Sequence, residues 1–185
     1  TSRGWTVNVI DAVTARESAR TATGSVRDRV DVEPLTNYFA ARAYRNVGQR
    51  AGFGFLGTAV NRSLRTDSLS ARLVDSAYVI GADGHWFFSD KRDYVVAGSF
   101  SGSRVAGSTP AISRLQRSSS RYYQRPDATH VALDPAATSL SGWSLQSDFN
   151  RNSGNLRPNA SFWAVSPGFE ANDAGYSTTV DRMGM

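Results

Sequence analysis

The fold is decided by the stretch SAYVIGADGHWFFSDKRDYVVAGSFSGS, residues 76–103, in which apolar and polar residues alternate on both sides of a polar turn at 89–92. One parity is apolar and comprises Tyr78, Ile80, Ala82, Trp86, Tyr94, Val96 and Phe100. The other parity carries the polar side chains Asp83, His85, Ser99 and Ser101. A period of two residues predicts a pair of antiparallel strands with one apolar and one polar face.

The same alternation recurs along the chain and predicts seven strands, near 4–14, 36–46, 51–63, 77–89, 93–105, 139–150 and 155–165. Short connections alternate with long ones, so an up-and-down meander would place every short turn at one end of the sheet. Bacterial outer-membrane barrels have this asymmetry, with short periplasmic turns and longer external loops. We therefore predict an all-β, antiparallel up-and-down transmembrane β-barrel segment, incomplete at about seven strands, with short helices in its external loops.

Aromatic residues add a second line of evidence, because they cluster near the short turns or the equivalent strand starts: Trp5, Tyr44, Trp86, Phe88, Tyr94 and Phe149. This placement is typical of the aromatic girdle at a membrane interface. The apolar parity would then face lipid and the polar parity would line a lumen. The lumen-lining candidates are Asp83, His85, Ser99, Ser101, Asp148, Arg157 and Asn159.

Alternation alone does not separate lipid from a protein core, because a half-buried soluble sheet has the same pattern. The alternative is therefore a soluble all-β module, a sandwich or lectin-like domain that binds polysaccharide on its polar face. In that fold the apolar parity would pack inward against a second sheet. Pro158 lies inside the last predicted strand and indicates a bulge or an edge there.

The composition excludes several classes of function. The chain of 185 residues carries a formal charge of +5, and Lys91 is its single lysine. The arginines are scattered rather than clustered, so they do not form the basic patch that is typical of nucleic-acid binding. The absence of cysteine excludes a disulfide scaffold, thiol catalysis and cysteine metal sites. The first residues, TSRGWTVNV, resemble a strand rather than a signal peptide, from which we expect a longer precursor.

Residues 106–138 are predicted to form an external loop containing a helix, with Thr109 as the N-cap, Pro110 at the first helical position and Pro126 as the stop. A second, shorter helix signal lies in SLSARLVD, residues 68–75. Arginines in the first segment recur at steps of three and four and would form one basic stripe: Arg114, Arg117, Arg121 and Arg125. That stripe could pair with lumen carboxylates as an inward plug, bind phosphate and carboxylate groups of lipopolysaccharide, or be solvated.

Catalysis and metal binding have little support in the sequence. The stretch GSFSG at 98–102 has Phe100 where a nucleophile elbow needs serine, and it lies within a strand. His85 beside Asp83 is the one polar-face candidate for acid–base chemistry, and a lumen-lining pair is the simpler interpretation. Two histidines without cysteine do not indicate a transition-metal site. We predict no enzyme activity, no cofactor and no metal.

Five stretches resemble a family of bacterial outer-membrane proteins: DAVTARES (11–18), EPLTNYFAARA (33–43), TAVNRSL (58–64), QRSSSRYYQRPDA (116–128) and SPGFEANDAGY (166–176). Members of this family, whose function is not established, join an N-terminal family-9-like carbohydrate-binding domain to a large C-terminal β-barrel. The resemblance implies that residues 1–185 are part of that single barrel domain. The family has no established catalytic residues, so the resemblance assigns none to this chain.

Together these patterns predict a porin-like, non-enzymatic barrel segment in the outer membrane of a Gram-negative bacterium. Its protein would handle or admit carbohydrate or other small solutes. The expected partners are outer-membrane lipid and lipopolysaccharide, carbohydrate, and the remaining barrel strands of the same polypeptide, before Thr1 and after Met185. Those strands are expected because unpaired backbone groups are not tolerated in hydrocarbon.

Overall fold

The computed structural model of the chain describes residues 4–88, 91–171 and 179–185. Residues 89 and 90 of the predicted polar turn at 89–92 and residues 172–176 of the stretch SPGFEANDAGY therefore lie outside the described residues. The described elements are β1 (Trp5–Thr14), β2 (Glu17–Thr23), β3 (Val26–Glu33), β4 (Leu35–Val47), β5 (Ala51–Ser63), α1 (Asp67–Ser70), β6 (Ser76–Phe87), β7 (Tyr94–Ala106), α2 (Thr109–Gln116), β8 (Ser139–Arg151), β9 (Asn159–Val165) and β10 (Arg182–Gly184).

Eight strands form one antiparallel sheet in the order β1-β4-β5-β6-β7-β8-β9-β10, and β2 and β3 form a separate hairpin. All seven predicted strands are present, so the prediction of an antiparallel all-β meander is confirmed. Within the described ranges the sheet is open, with β1 at one edge and the short β10 at the other. Neither helix found there is long and apolar enough to span a membrane.

Three strands were not predicted. The segment 15–35, expected to be a loop, folds into the β2–β3 hairpin, whose turn contains Gly24 at φ +63°. The last long strand begins at Asn159 rather than at residue 155, because Pro158 has no N–H to donate to the neighbouring strand. Strand β10, three residues long, pairs with β9 through Met183 opposite Ala164.

The predicted alternation of short and long connections is present. Residues 48–50 join β4 to β5 through Gly48 at φ +61°, and the turn between β8 and β9 contains Gly154 at φ +91°. Residues 64–75 and 107–138 form the long connections, which contain α1 and α2. Because neighbouring strands are antiparallel, these long connections lie together at the end of the sheet opposite the short turns.

The register places the apolar parities of all eight strands on one surface, which we call the apolar face. One cross-strand row on it runs through Val7, Ala43, Phe55, Ala82, Phe100, Leu145, Ala164 and Met183. The side chains are largely open to the surroundings, with Ile80 72% and Phe100 52% exposed. The opposite surface, which carries Asp83 and Ser99, is called the polar face.

The packed core lies on the polar face, at the end with the long connections. A row of neighbouring side chains there, Tyr38, Val60, Ala77, Val105 and Leu140, packs against Ile112 of α2. Ile112 and Val105 are fully buried. The 107–138 connection therefore folds back over the polar face and covers its long-loop end.

Candidate functional site

The polar face brings together six of the seven lumen-lining candidates. Asp83 pairs with Ser99 and Gly81 with Ser101 across β6 and β7, while Asp148 and Asn159 occupy the same face of β8 and β9. Arg157 is the exception, because it precedes β9 and lies in the exposed turn. There its Nε donates a hydrogen bond to the carbonyl oxygen of Gly154 at 3.2 Å. The prediction that Arg157 belongs to a strand was therefore wrong.

An ion pair crosses β5 on this face, between residues of β4 and β6. The guanidinium of Arg42 contacts both carboxylate oxygens of Asp83, with Nη1–Oδ1 at 2.7 Å and Nη2–Oδ2 at 2.9 Å. The pair spans the intervening strand at Gly54, where a Cβ atom would lie 2.9 Å from Arg42 Nη2. Glycine at this position is therefore what allows the two side chains to meet.

A second glycine of β5 has the same role for two rings. The side chains of Tyr44 and His85 both lie over Gly52, and a Cβ atom there would come within 2.7 Å of His85 Cε1. The Tyr44 ring also lies under the guanidinium of Arg42, with Cζ 5.8 Å from the ring centroid. The ring of His85 packs edge-on against Phe87 at 5.5 Å.

A groove of ≈ 330 Å³ lies beside this network on the polar face, and its polar side chains are Tyr44, Asp83, His85, Ser99, Gln146 and Asp148. Within it, Gln146 Nε2 donates to Asp148 Oδ2 at 3.0 Å. Carboxylates, an amide and hydroxyl groups beside an aromatic ring supply both donors and acceptors for the hydroxyl groups of a polar solute. Among the described residues no group of three or more His, Asp or Glu side chains could hold a metal ion.

Two members of the groove's network, Arg42 and Tyr44, were not among the predicted site residues. Alternation along β4 places both side chains on the polar face. In AGFGFLG, residues 51–57, the same alternation places two glycines of β5 on that face. Small residues on one face of a strand allow long side chains from its two neighbours to meet across it. The sequence therefore contained a signal for this network, although the pairing with Asp83 depends on the register.

The aromatic residues near the short turns form two clusters on the apolar face. Phe88, Tyr94 and Phe149 stack with centroids 5.8–6.3 Å apart, and Trp5 packs edge-on against Phe53 at 5.4 Å. Tyr44 lies at the same end of the sheet but on the polar face, so its assignment to the girdle was wrong.

Charged side chains on the apolar face of the described strands occur only toward the strand ends: Asp11, Arg45, Arg104 and Arg151. Arg45 lies over the Trp5 ring and Arg151 over the Tyr94 ring, both at the short-turn end. Asp11 and Arg104 belong to one row at the long-loop end, where Asp11 accepts a hydrogen bond from Asn37. The rows between these ends are free of charge.

Helix α2 begins at Thr109 and stops well before Pro126, as predicted, but its cap and length differ from the expectation. Ser108 is the N-cap, and its hydroxyl accepts a hydrogen bond from the Ala111 N–H at 3.3 Å. The helix ends at Gln116, and the side chain of Ser118 bonds to the backbone just beyond it. Ser118 Oγ donates to the Leu115 carbonyl oxygen at 2.7 Å, an arrangement that competes with helix continuation.

The predicted basic stripe is therefore absent from the described helix. Arg114 lies in the helix and is exposed, whereas Arg117 follows it as the C-cap. Arg125 pairs with Asp181, which also contacts His130 Nε2 at 2.8 Å. Arg121 is 3% exposed and forms an ion pair with Glu170, itself 4% exposed, at an Nη2–Oε2 distance of 2.6 Å.

The Arg121–Glu170 pair fastens the chain after β9 to the polar face. Arg121 Nη2 also donates to the Phe169 carbonyl oxygen at 2.6 Å, and the Glu170 N–H donates to Ser103 Oγ at 2.9 Å. The backbone at Phe169 crosses β8 at Gly142, where a Cβ atom would collide with it. Burial raises the pKa of the nearby Tyr123 phenol above its ordinary value, so this group stays neutral; Arg121 opposes the shift.

No protein-family model, curated protein or solved structure matches this chain.

Proposed function

We propose that this chain is part of a bacterial outer-membrane β-barrel, non-enzymatic and porin-like, whose polar face admits or handles carbohydrate or other small solutes. The observation that carries the proposal is the exposed apolar face with its charge-free middle. In water such a surface would be a strong aggregation site. In a bilayer it is the surface that lipid requires.

The dimensions of the apolar face agree with this proposal. The charge-free rows lie between the Gly84 row, which contains Arg45, and the Tyr78 row, which contains Arg104. With the aromatic row included, strand β6 rises by roughly 27 Å from Trp86 to Tyr78, at about 3.4 Å per residue. A strand tilt of about 40° reduces this to roughly 20 Å, close to the apolar band of about 25 Å in outer-membrane barrels. Aromatic rings at one end and the flanking arginines suit the two interfaces, where arginine can extend its charge into water.

The polar face supports the solute-handling part of the proposal. Its groove exposes hydroxyl, amide and carboxylate groups beside Tyr44, a combination suited to sugars. Helix α2 and the Phe169–Glu170 segment lie over the long-loop end of the same face. In a barrel, elements in that position narrow the mouth and restrict the size of the solutes that pass.

The resemblance of five stretches to outer-membrane barrels with a carbohydrate-binding domain gives the proposal its solute class. Outer-membrane lipid and lipopolysaccharide would contact the apolar face and its ends. The open edges at β1 and β10 would have to be paired by further strands of the same polypeptide, because each unpaired backbone group in hydrocarbon costs several kcal/mol.

The soluble alternative, a sandwich or lectin-like carbohydrate-binding module, requires a second layer over the apolar face. In the described residues that layer is not found, since Ile80 and Phe100 remain exposed. This observation favours the membrane proposal over the soluble one.

The solute path can be tested by blocking the polar face in the intact protein, reconstituted into liposomes. Ser99→Cys places a thiol beside the groove, so a bulky, water-soluble methanethiosulfonate reagent should obstruct the path. We expect the influx of sugars, measured by liposome swelling, to fall after modification, and to fall more for oligosaccharides than for monosaccharides.

The matched control is Phe100→Cys, the neighbouring residue on the opposite face. Its modification by a lipid-soluble reagent should leave sugar influx unchanged. Failure of the unmodified protein to admit any sugar, or an equal loss of influx in the two variants, would refute the proposed path.

A further inference from the structure

Four arginines from separate parts of the chain line one pocket of ≈ 290 Å³ at the long-loop end. Arg62 lies near the end of β5, Arg72 follows α1, Arg114 is on α2, and Arg121 lies in the turns after α2. The pocket is bounded by elements distant in sequence, so it exists only in the folded protein. It is separate from the groove around Asp83 and His85.

The described lining of this pocket is predominantly basic. Among the described residues that line it, one carboxylate, that of Glu170, faces four guanidinium groups. Glu170 is moreover engaged by Arg121. Over the described residues, neither Arg72 nor Arg114 has an ion pair or a side-chain hydrogen bond, so both remain available to an anion.

The buried member of the set has unused hydrogen-bonding capacity. Arg121 binds Glu170 and the Phe169 carbonyl oxygen through Nη2, while its Nε is buried without a partner in the described structure. Burying a guanidinium donor without an acceptor is unfavourable. The hydroxyl groups of Ser118 and Ser120 line the same pocket, but they are engaged within the protein: Ser118 donates to the Leu115 carbonyl oxygen and lies 3.0 Å from Ser120 Oγ.

We infer that this pocket binds a phosphate monoester. Such a group carries a charge of about −1.5 to −2 at neutral pH and three strong acceptor oxygens. The planar guanidinium fork binds two of those oxygens at once, which a lysine does not. A carboxylate carries a single charge and two oxygens, so it satisfies the two available guanidinium groups, those of Arg72 and Arg114, less completely.

The phosphate could be carried by a soluble sugar phosphate or by the headgroup of a lipopolysaccharide. Arg62 belongs to the polar face, the side away from the apolar surface, which favours the soluble ester. The inference rests on the pocket alone and holds whether or not the sheet lies in a membrane. Its failure is therefore distinguishable from failure of the proposed solute path.

Isothermal titration calorimetry of the intact protein in detergent, with inorganic phosphate, glucose 6-phosphate and glucose, tests the inference. Both phosphates should bind saturably and compete with each other, and glucose should not displace them. Arg72→Gln and Arg114→Gln should each weaken phosphate binding by about tenfold or more, because each removes a charged donor at an exposed position that the fold does not need.

Arg117→Gln is the matched control, since Arg117 is an exposed arginine beside α2 that does not line the pocket. It should change the affinity by less than about twofold, because an exposed charge that does not line the pocket is screened by water and salt. Vesicles with intact or dephosphorylated lipopolysaccharide distinguish the two sources. One outcome would identify the lipopolysaccharide headgroup as the ligand. In that outcome the protein binds vesicles only when both the lipid phosphate and Arg114 are present, and it does not bind free glucose 6-phosphate.

Two results would overturn the inference. One is the absence of saturable binding of every phosphate tested, free or lipid-borne. The other is an equal loss of affinity in Arg117→Gln and Arg114→Gln, which would reduce the binding to the general positive charge of the loop.

Discussion

Replacing Ala82 with arginine is expected to lower the free energy of unfolding of the intact protein in lipid bilayers by about 2–4 kcal/mol. Ala82 lies on the apolar face midway between Trp86 and Tyr78, and therefore near the middle of the charge-free region. Its methyl group is small, so the substitution removes little packing. The loss of stability therefore measures the cost of placing a charge in hydrocarbon. Equilibrium unfolding in urea, with the protein folded into vesicles, measures it.

Two further arginine substitutions serve as controls, one on the opposite face of the sheet and one at a different depth along it. Ser101→Arg places the same charge almost level with Ala82 but on the polar face, and should cost much less. Val96→Arg lies in the row of Trp86 and Phe149, at the aromatic end, and should cost about 0–1 kcal/mol. If Ala82→Arg changed stability by no more than about 0.5 kcal/mol, as ordinary surface substitutions do, the apolar face would be in water.

The second large effect is expected at the buried ion pair that fastens the chain after β9. Glu170→Leu leaves the guanidinium of Arg121 buried without its anion, and should destabilise the protein by about 3–5 kcal/mol. The measurement is the free energy of unfolding in a phosphate-free buffer, since an anion in the arginine pocket would replace part of the lost charge.

The double variant Arg121→Met with Glu170→Leu is the decisive control. Replacing a whole buried pair with apolar residues is often neutral, so the double variant should recover most of the stability lost by Glu170→Leu. Asp31→Leu breaks the more exposed pair with Arg16, at 3.6 Å, and should cost about 1 kcal/mol or less. A double variant as unstable as Glu170→Leu would show that Glu170 acts through contacts other than Arg121.

Alternation located the strands of the main sheet because each has one apolar and one polar face, and this pattern is local. The β2–β3 hairpin was not predicted, because both of its faces are exposed and neither has to be apolar. Even the side chains of Val26 and Val32 are exposed. Strand β10 was missed for a different reason. Three residues are too few to show a period, and their pairing partners, residues 163–165, are remote in sequence.

The parity of the site residues could be predicted, whereas their contacts could not. Asp83, His85 and Ser99 share a face by counting along the strands, but the meeting of Arg42 with Asp83 depends on the register of three strands. The arginines after α2 were wrongly placed in one stripe because the helix stops at Gln116. The burial of Arg121 depends on Glu170, whose position follows only from the tertiary fold.

The membrane orientation of the apolar face is tested most directly by a spin-label scan along β6 in the intact, bilayer-reconstituted protein. The chain contains no cysteine, so a single introduced cysteine at each position from Tyr78 to Trp86 labels one site within it. We expect labels at 78, 80, 82, 84 and 86 to collide with oxygen dissolved in lipid, and labels between them to collide with a water-soluble nickel complex. Collisions of the nickel complex with labels at Ile80 and Ala82, or protection of both from oxygen and nickel alike, would contradict the account.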